Sequence, residues 1–343
     1  MLPLYIGGSQ DFPFPASPSL AILLVMPLPE KDLIARIRRS SKLGVAAVLA
    51  GIGDDCAILR PPMGHEILVT TDFTLEGIHF RRNWHSPEVI GRRCLTRGLS
   101  DIAAMGGQPL AVFLSLALPR QLPQNWVDRF MKGLLQLARE FKVPLTGGDT
   151  AQSPDHILAD IVVVGSAPKG TAIRRSGARV GDLIYVTGKL GGGTVALQHL
   201  LAGKRVRPQD FPRHFHPVPR VAVGDFLRAK KFATAMIDLS DGFSTDLAHI
   251  CEESRLGAEI FAEQLPRATV GRTPKDVDLN LALHGGEDYE LLFTVPAKRL
   301  IPKRIAGVPI TLVGRMTQNR KIWIKDADGT VRQLEAKGWE HFQ

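Results

Sequence analysis

The chain has no apolar run approaching the roughly 20 residues that a membrane-spanning helix needs, which excludes an integral membrane protein of that kind. Cysteine is scarce. Cys56, Cys94 and Cys251 are odd in number, widely spaced and without a Cys-x-x-Cys pair, so neither a disulfide framework nor a zinc site is indicated and a reducing cytoplasm fits best. Cys56 has no basic neighbour in sequence to activate its thiol and reads as a small packed residue. Aromatics make up only 6% of the chain, and the net charge of +9 is scattered in short groups such as Arg92, Arg93, Arg97 and Lys230, Lys231. Without aromatics interleaved, this favours small anionic substrates over nucleic acid. Lys and Arg are absent before Lys31, so the apolar stretch Leu20 to Met26 lacks the positive flank of a signal peptide. Residues 1–25 are expected to be a disordered or mis-annotated extension, with Met26 the true start.

Two phosphate-binding signatures are also missing. Gly51-Ile52-Gly53 could open a dinucleotide fingerprint, but Cys56 holds the third glycine position and Asp54-Asp55 would face the pyrophosphate. Gly188-Lys189 is followed by Leu190 where a P-loop requires Ser or Thr. A nucleotide site in this chain must therefore neutralise phosphate through cations carried by carboxylates, helped by arginines and backbone N–H groups.

Carboxylates are present in a repeated setting. Aspartates stand beside glycine, serine or threonine at the ends of apolar runs: Gly53-Asp54-Asp55, Thr70-Thr71-Asp72, Leu99-Ser100-Asp101, Gly147-Gly148-Asp149 and Ile237-Asp238-Leu239-Ser240-Asp241. Any one of them could be a helix cap or turn residue. Their recurrence points instead to one oxygen-rich site for several divalent cations, because uncompensated acids gathered together repel. His79 and Glu287, the latter in Gly285-Gly286-Glu287-Asp288, are weaker candidates that structural roles could equally explain.

Apolar periodicity predicts helices over Glu30–Ser40, Ser86–Met105 and Trp126–Phe141, the second with Ser86 as cap and Pro87 at the first helical position. Strands are expected at 67–72, 110–118 and 157–164, with Val143–Thr146 running into Gly-Gly-Asp. The connector 169–181 is polar and glycine-containing. Beyond it the alternation resumes: strand 183–187, a glycine-opened helix from Gly191, helix 221–229, strand 235–239, a helix from Ser244, strands near Ala258, Leu291 and Ile310, and a hairpin turned at Asp328-Gly329. The length of 343 residues and this alternation indicate two α/β domains side by side, 26–167 and 168–343.

Taken together, Gly51-Ile-Gly-Asp-Asp-Cys-Ala57, Thr70-Thr-Asp72, Glu76-Gly-Ile-His-Phe80, Leu99 to Gly106, Gly147-Gly-Asp-Thr150, Thr171 to Gly181, Ile237 to Gly242, Gly285 to Leu291 and the Lys337-Gly-Trp-Glu end resemble the bacterial thiamine-monophosphate kinases, in order. The resemblance implies an α/β fold of the α+β type, like that of aminoimidazole ribonucleotide synthetase, with the N-terminal sheet joining a homodimer. It implies transfer of a phosphoryl group from ATP to thiamine monophosphate in the cytoplasm, with several Mg2+ ions and no covalent nucleophile, centred on Asp72, Asp149 and Asp238. Asp55, Thr70, Thr71, Asp72, Asp101, Asp149, Asp238 and Asp241 are the implied cation ligands. Gly148, Asp149, Arg175 and Ser240 are implied to contact ATP, and His79, Glu287 and Trp339 the substrate. Trp339 and Gly98 depart from the tyrosine or phenylalanine, and the asparagine, expected of the family. Rival readings are a superfamily enzyme acting on a carbonyl or amide oxygen, a selenophosphate synthetase, whose reactive N-terminal cysteine this chain lacks, and a non-catalytic nucleotide or metal-binding regulator.

Overall fold

The helix Pro87–Ala104 is the element on which the rest is assembled. The computed structural model describes residues 27–41 and 43–340; the extension and the start at Met26 expected from the sequence lie outside them. In the N-terminal half, α1 (Glu30–Ser40) precedes a small antiparallel pair, β1 (Val48–Ala50) and β2 (Ile58–Leu59), then β3 (His65–Leu75), α2 (Pro87–Ala104), β4 (Gln108–Pro119), α3 (Gln124–Glu140), β5 (Leu145–Ser153) and β6 (Leu158–Pro168). The four long strands form one sheet in the order β3-β6-β4-β5, in which only the β4–β5 pair is parallel. Helix α2 starts where its sequence signal indicates: Ser86 Oγ accepts from Val89 N at 3.4 Å, and Pro87 occupies a position whose N–H would be unpaired.

The connector 169–181 carries no helix or strand. The second half contains β7 (Leu183–Thr187), α4 (Gly192–Leu201), α5 (Pro212–Phe215), α6 (Val221–Ala229), β8 (Ala235–Asp238), α7 (Phe243–Ser254), β9 (Gly257–Phe261), the short pair β10 (Thr269–Val270) and β11 (Lys275–Asp276), α8 (Leu279–His284), β12 (Leu291–Val295), β13 (Arg304–Ile305), β14 (Val308–Thr317), β15 (Ile322–Lys325) and β16 (Val331–Gln333). Its sheet runs β16-β15-β9-β14-β7-β12-β8, with β13 on β14, and only β9–β15 is parallel. Strands and helices alternate as the sequence suggests, yet pairing is mostly antiparallel, which makes the fold the α+β type of α/β architecture.

Two aspartates are not where the sequence places them. Asp72 lies inside β3, which continues to Leu75, and Asp149 lies inside β5, because pairing with β4 carries on through Leu114–Gly148 and Ser115–Asp149 to Pro119–Ser153. Asp101 rides on α2, within the helix expected over Ser86–Met105.

Of the 18 residues of α2, 14 are buried, since it is covered by the N-terminal sheet, α3 and the second half together. Its Ile90, Leu95 and Leu99 share one core with Val221, Leu227, Met236 and Phe293. Each such side chain contributes about 1.5–3 kcal/mol when fully buried. Packing is close enough to dictate small residues: a Cβ on Gly98 would meet Val163 Cγ2 at 2.5 Å, so a larger side chain there would collide with β6. That accounts for the departure at Gly98.

Candidate active site

One face of α2 supplies a stripe of polar side chains, Arg93, Arg97, Ser100 and Asp101, at the spacing that stacks residues along a helix. Strand alternation meets it from β3. Thr70 and Asp72 point toward α2: the Thr70 hydroxyl donates to Asp101 Oδ2, and Arg97 Nε donates to Asp72 Oδ1 at 2.8 Å. Thr71 stands on the opposite face and donates to Asp160 Oδ1 at 2.7 Å, so its side chain does not join Thr70. From the second half, Asp238 at the end of β8 accepts from Ser100 Oγ at 2.7 Å. Asp241, before α7, feels Asp72 and Asp238 electrostatically.

These acids are withdrawn from water by the protein around them and feel one another's charge. Burial, opposed by Arg97, holds the Asp72 carboxyl above its ordinary range. Burial likewise raises Asp101, and burial reinforced by the nearby Asp101 charge pushes Asp238 up to about 7. Arg175, on the connector, counters both Asp101 and Asp238. Asp246, which sequence reasoning does not single out, accepts from Gly242 N at 3.0 Å and is raised by burial and then by Asp238 and Asp241.

Glu287 joins the same region by an unusual backbone path. Glu287 and Tyr289 have φ of 64° and 50°, a left-handed conformation that costs non-glycine residues energy and is kept where surrounding contacts enforce it. The turn aims Glu287 at Arg93, whose Nη2 donates to both carboxylate oxygens at 2.6 and 2.7 Å, and aims the Tyr289 hydroxyl at Arg97. Burial would raise Glu287, but Arg93, His214 and Arg97 outweigh it and bring its carboxyl down to about 2. His79 accepts from Leu75 N through Nδ1 at 3.0 Å, so its Nε2 carries the proton of the neutral ring. Buried beside it, His85 and His214 meet through their Nε2 atoms at 2.9 Å, and burial lowers both rings, to about 4 and about 3.

A cavity of about 480 Å³ gathers Asp72, His79, Arg97, Ser240, Asp241, Glu287 and Trp339. A second, of about 730 Å³, gathers Asp55, Gly148 and Asp149 with the 51–57 loop. Gly148 has φ 147°, and a Cβ there would lie 1.8 Å from Leu114 O, so only glycine lets β5 approach β4 at this point. The structure thus brings the implied residues together in two sets rather than one. Asp72 and Asp149 lie on opposite edge strands, three strand spacings or about 14 Å apart. Among the described residues no three His, Cys, Asp or Glu side chains are grouped closely enough to cage an ion. The missing ligands would have to come from elsewhere, and the carboxylate and hydroxyl oxygens present are those that Mg2+ accepts alongside phosphate oxygens.

Residues 53–167 match the family described as AIR synthase related protein, N-terminal domain. The Escherichia coli K12 thiamine-monophosphate kinase is 38% identical over 327 residues, covering 91% of this chain and 98% of the relative. The Bacillus subtilis 168 thiamine-monophosphate kinase is 34% identical over 311 residues, covering 87% and 95%. The chain belongs to the thiamine-monophosphate kinase family, a family of enzymes. Among solved structures, the thiamine-monophosphate kinase of Stenotrophomonas maltophilia K279a superposes with a TM-score of 0.74 at 34% identity, covering 87% of this chain and 96% of that one. A structure described as AaThiL complexed with AMPPCP and TMP gives 0.72 at 32% identity, covering 91% and 96%. Escherichia coli HypE, a hydrogenase maturation protein, gives 0.70 at 17% identity, a likeness of fold alone.

Proposed function

We propose that this enzyme transfers the γ-phosphoryl group of ATP directly to the phosphate of thiamine monophosphate, in line and with Mg2+, giving thiamine diphosphate and ADP. The observation that carries this reading is the single cavity in which Asp72, Ser240 and Asp241 meet His79, Glu287 and Trp339. Its size suits a small molecule with one charged and one organic end. The likeness to AaThiL with AMPPCP and TMP supports the same choice of substrates.

The acceptor needs little activation. A phosphate monoester has a second pKa of about 6 and is largely a dianion at neutral pH, so no strong general base or covalent nucleophile is assigned. The obstacle is repulsion, about 4 kcal/mol for even one pair of unit charges at about 4 Å in an effective dielectric near 20. Bound Mg2+ would supply charge neutralisation for both polyanions; Asp72, Asp101, Asp238 and Asp241 with Thr70 would hold it, as would Asp55 and Asp149 at the second cavity, whereas the Thr71 side chain, on the opposite face of β3, takes no part. Gly148 and Asp149 at the second cavity, with Arg175 and Ser240, make up the ATP contacts. Trp339 offers a face to the organic end of thiamine monophosphate, with His79 and Glu287 beside it.

A homodimer belongs to this reading. On the face of β3 turned away from α2, Ile67, Val69 and Phe73 are exposed, an apolar row that a second copy would cover. Packed there, one copy's Asp149 edge would be carried toward the other's Asp72. Domains 26–167 and 168–343 would then play unequal parts, the first forming the dimer, in the cytoplasm where the nucleotide is available. Among the described residues no helix is long and apolar enough to cross a membrane.

The test is ADP release by the purified protein. It should require both Mg2+ and thiamine monophosphate and stop with EDTA; ADP release indifferent to thiamine monophosphate would overturn the reading.

A further inference from the structure

Among its described lining residues, the cavity proposed to take the substrate carries three acids, Asp72, Asp241 and Glu287, and two permanent cations, Arg97 and Lys337. A substrate bearing a phosphate brings a further charge of about −1.5 to −2 into that space. Something on the protein side must receive it. Lys337 is 63% exposed and paired with Glu335 at 3.0 Å, so it is a surface lysine. Arg93 is engaged through Nη1 by the carbonyl of His214 and through Nη2 by Glu287, and it does not line the cavity.

Arg97 differs from both. Its side chain is 16% exposed, and its Nε is fixed on Asp72 Oδ1 at 2.8 Å. Its Nη1 donates to the Tyr289 hydroxyl at 3.2 Å and lies 3.6 Å from Glu287, while Nη2 makes no hydrogen bond with a described residue. The guanidinium therefore sits between the acid proposed to hold a cation and the acid proposed to contact the organic end, with a donor to spare. A planar fork is the group that grips phosphate with two parallel bonds.

We propose that Arg97 is the clamp for the acceptor phosphate, holding it between Asp72 and Glu287. The proposal rests on the phosphorylated substrate of the reading above. A merely structural role, neutralising Asp72 and Glu287, needs the charge but not the fork, so Arg97→Lys would then bind thiamine monophosphate as tightly as the unmodified protein does. The experiment is calorimetric titration of the full chain with thiamine monophosphate and, separately, with thiamine, with Mg2+ present and ATP absent so that nothing turns over. Arg97→Met should weaken thiamine monophosphate about 10- to 100-fold, the value of a charge-assisted hydrogen bond, and leave thiamine within about threefold. Arg97→Lys keeps the charge without the fork and should fall between; it carries the test alone if the methionine variant does not fold. Equal losses for both ligands, or an undiminished preference for the phosphorylated one, would overturn the clamp. If the unmodified enzyme binds no thiamine monophosphate, the substrate assignment itself is wrong.

Discussion

Gly338 is a small residue whose replacement is expected to have a large effect on substrate affinity. The C-terminal strap lies on the start of α7 through three bonds: Lys337 N donates to Ser244 Oγ at 3.3 Å, Gly338 N to Thr245 Oγ1 at 2.9 Å, and Trp339 N to Asp241 O at 3.0 Å. A Cβ on residue 338 would stand 2.2 Å from Asp241 O and 2.6 Å from Thr245 Oγ1, the acceptors of two of those bonds. Gly338→Ala must therefore lift the strap. At about 1 kcal/mol for each bond lost, the seat of Trp339 weakens by about 2 kcal/mol, or roughly 30-fold. Steady-state kinetics with thiamine monophosphate varied at saturating ATP should show its KM rising about 10- to 30-fold, with KM for ATP within twofold. Trp339→Ala sets the ceiling of the effect. Melting should hardly move, because the strap is largely exposed and adds little to the core. If Gly338→Ala leaves KM unchanged while Trp339→Ala raises it, the strap does not position the indole. If Trp339→Ala raises KM for ATP more than for thiamine monophosphate, Trp339 is not a substrate contact.

Asp72→Asn and Asp149→Asn should each lose most turnover, since an amide keeps size but not the charge that holds a cation. If one copy's Asp149 serves the other's Asp72, mixing and refolding the two inactive variants should restore up to about a quarter of the activity in mixed dimers, a fraction fixed by random pairing. No recovery would mean that each chain works alone. Asp238 links function to pH. Its folded pKa of about 7 lies above the ordinary 3.8, so the unfolded chain releases this proton first. The stability contributed by neutral Asp238 is complete below about pH 4 and is lost as pH rises toward 7. In EDTA, Asp238→Asn should therefore melt several degrees above the unmodified protein at pH 8 and level with it at pH 4, while losing turnover. Equal melting at pH 8 would contradict a costly buried charge.

Local signals were readable where the chain follows local rules. Ser86 and Pro87 mark the start of α2, the Glu30–Ser40 helix has its expected limits, and Asp328-Gly329 turns the β15–β16 hairpin. Strand ends were less legible, because the continuation of β3 and β5 past Asp72 and Asp149 is decided by partners elsewhere in the sheet. Arg93, Arg97 and Ser100 illustrate a different limit. Their spacing is visible, but a polar stripe on a helix ordinarily means a face turned to water, and only the second half of the molecule laid over α2 makes it part of a site. His214, in the four-residue α5, has no periodic context at all. Thr71 teaches the opposite lesson, since strict alternation along a strand already separates it from Thr70.

Because α2 is enclosed from both directions, the chain route can be cut near residue 168 but its interior cannot. An isolated N-terminal fragment would bare Ile90, Leu95 and Leu99 along with the carboxylates beside them, and an isolated C-terminal fragment would lose the wall that seats Val221, Leu227 and Phe293. This shared core predicts that the two halves fold as one cooperative unit, and a gene split at that point should yield insoluble pieces unless both are made together.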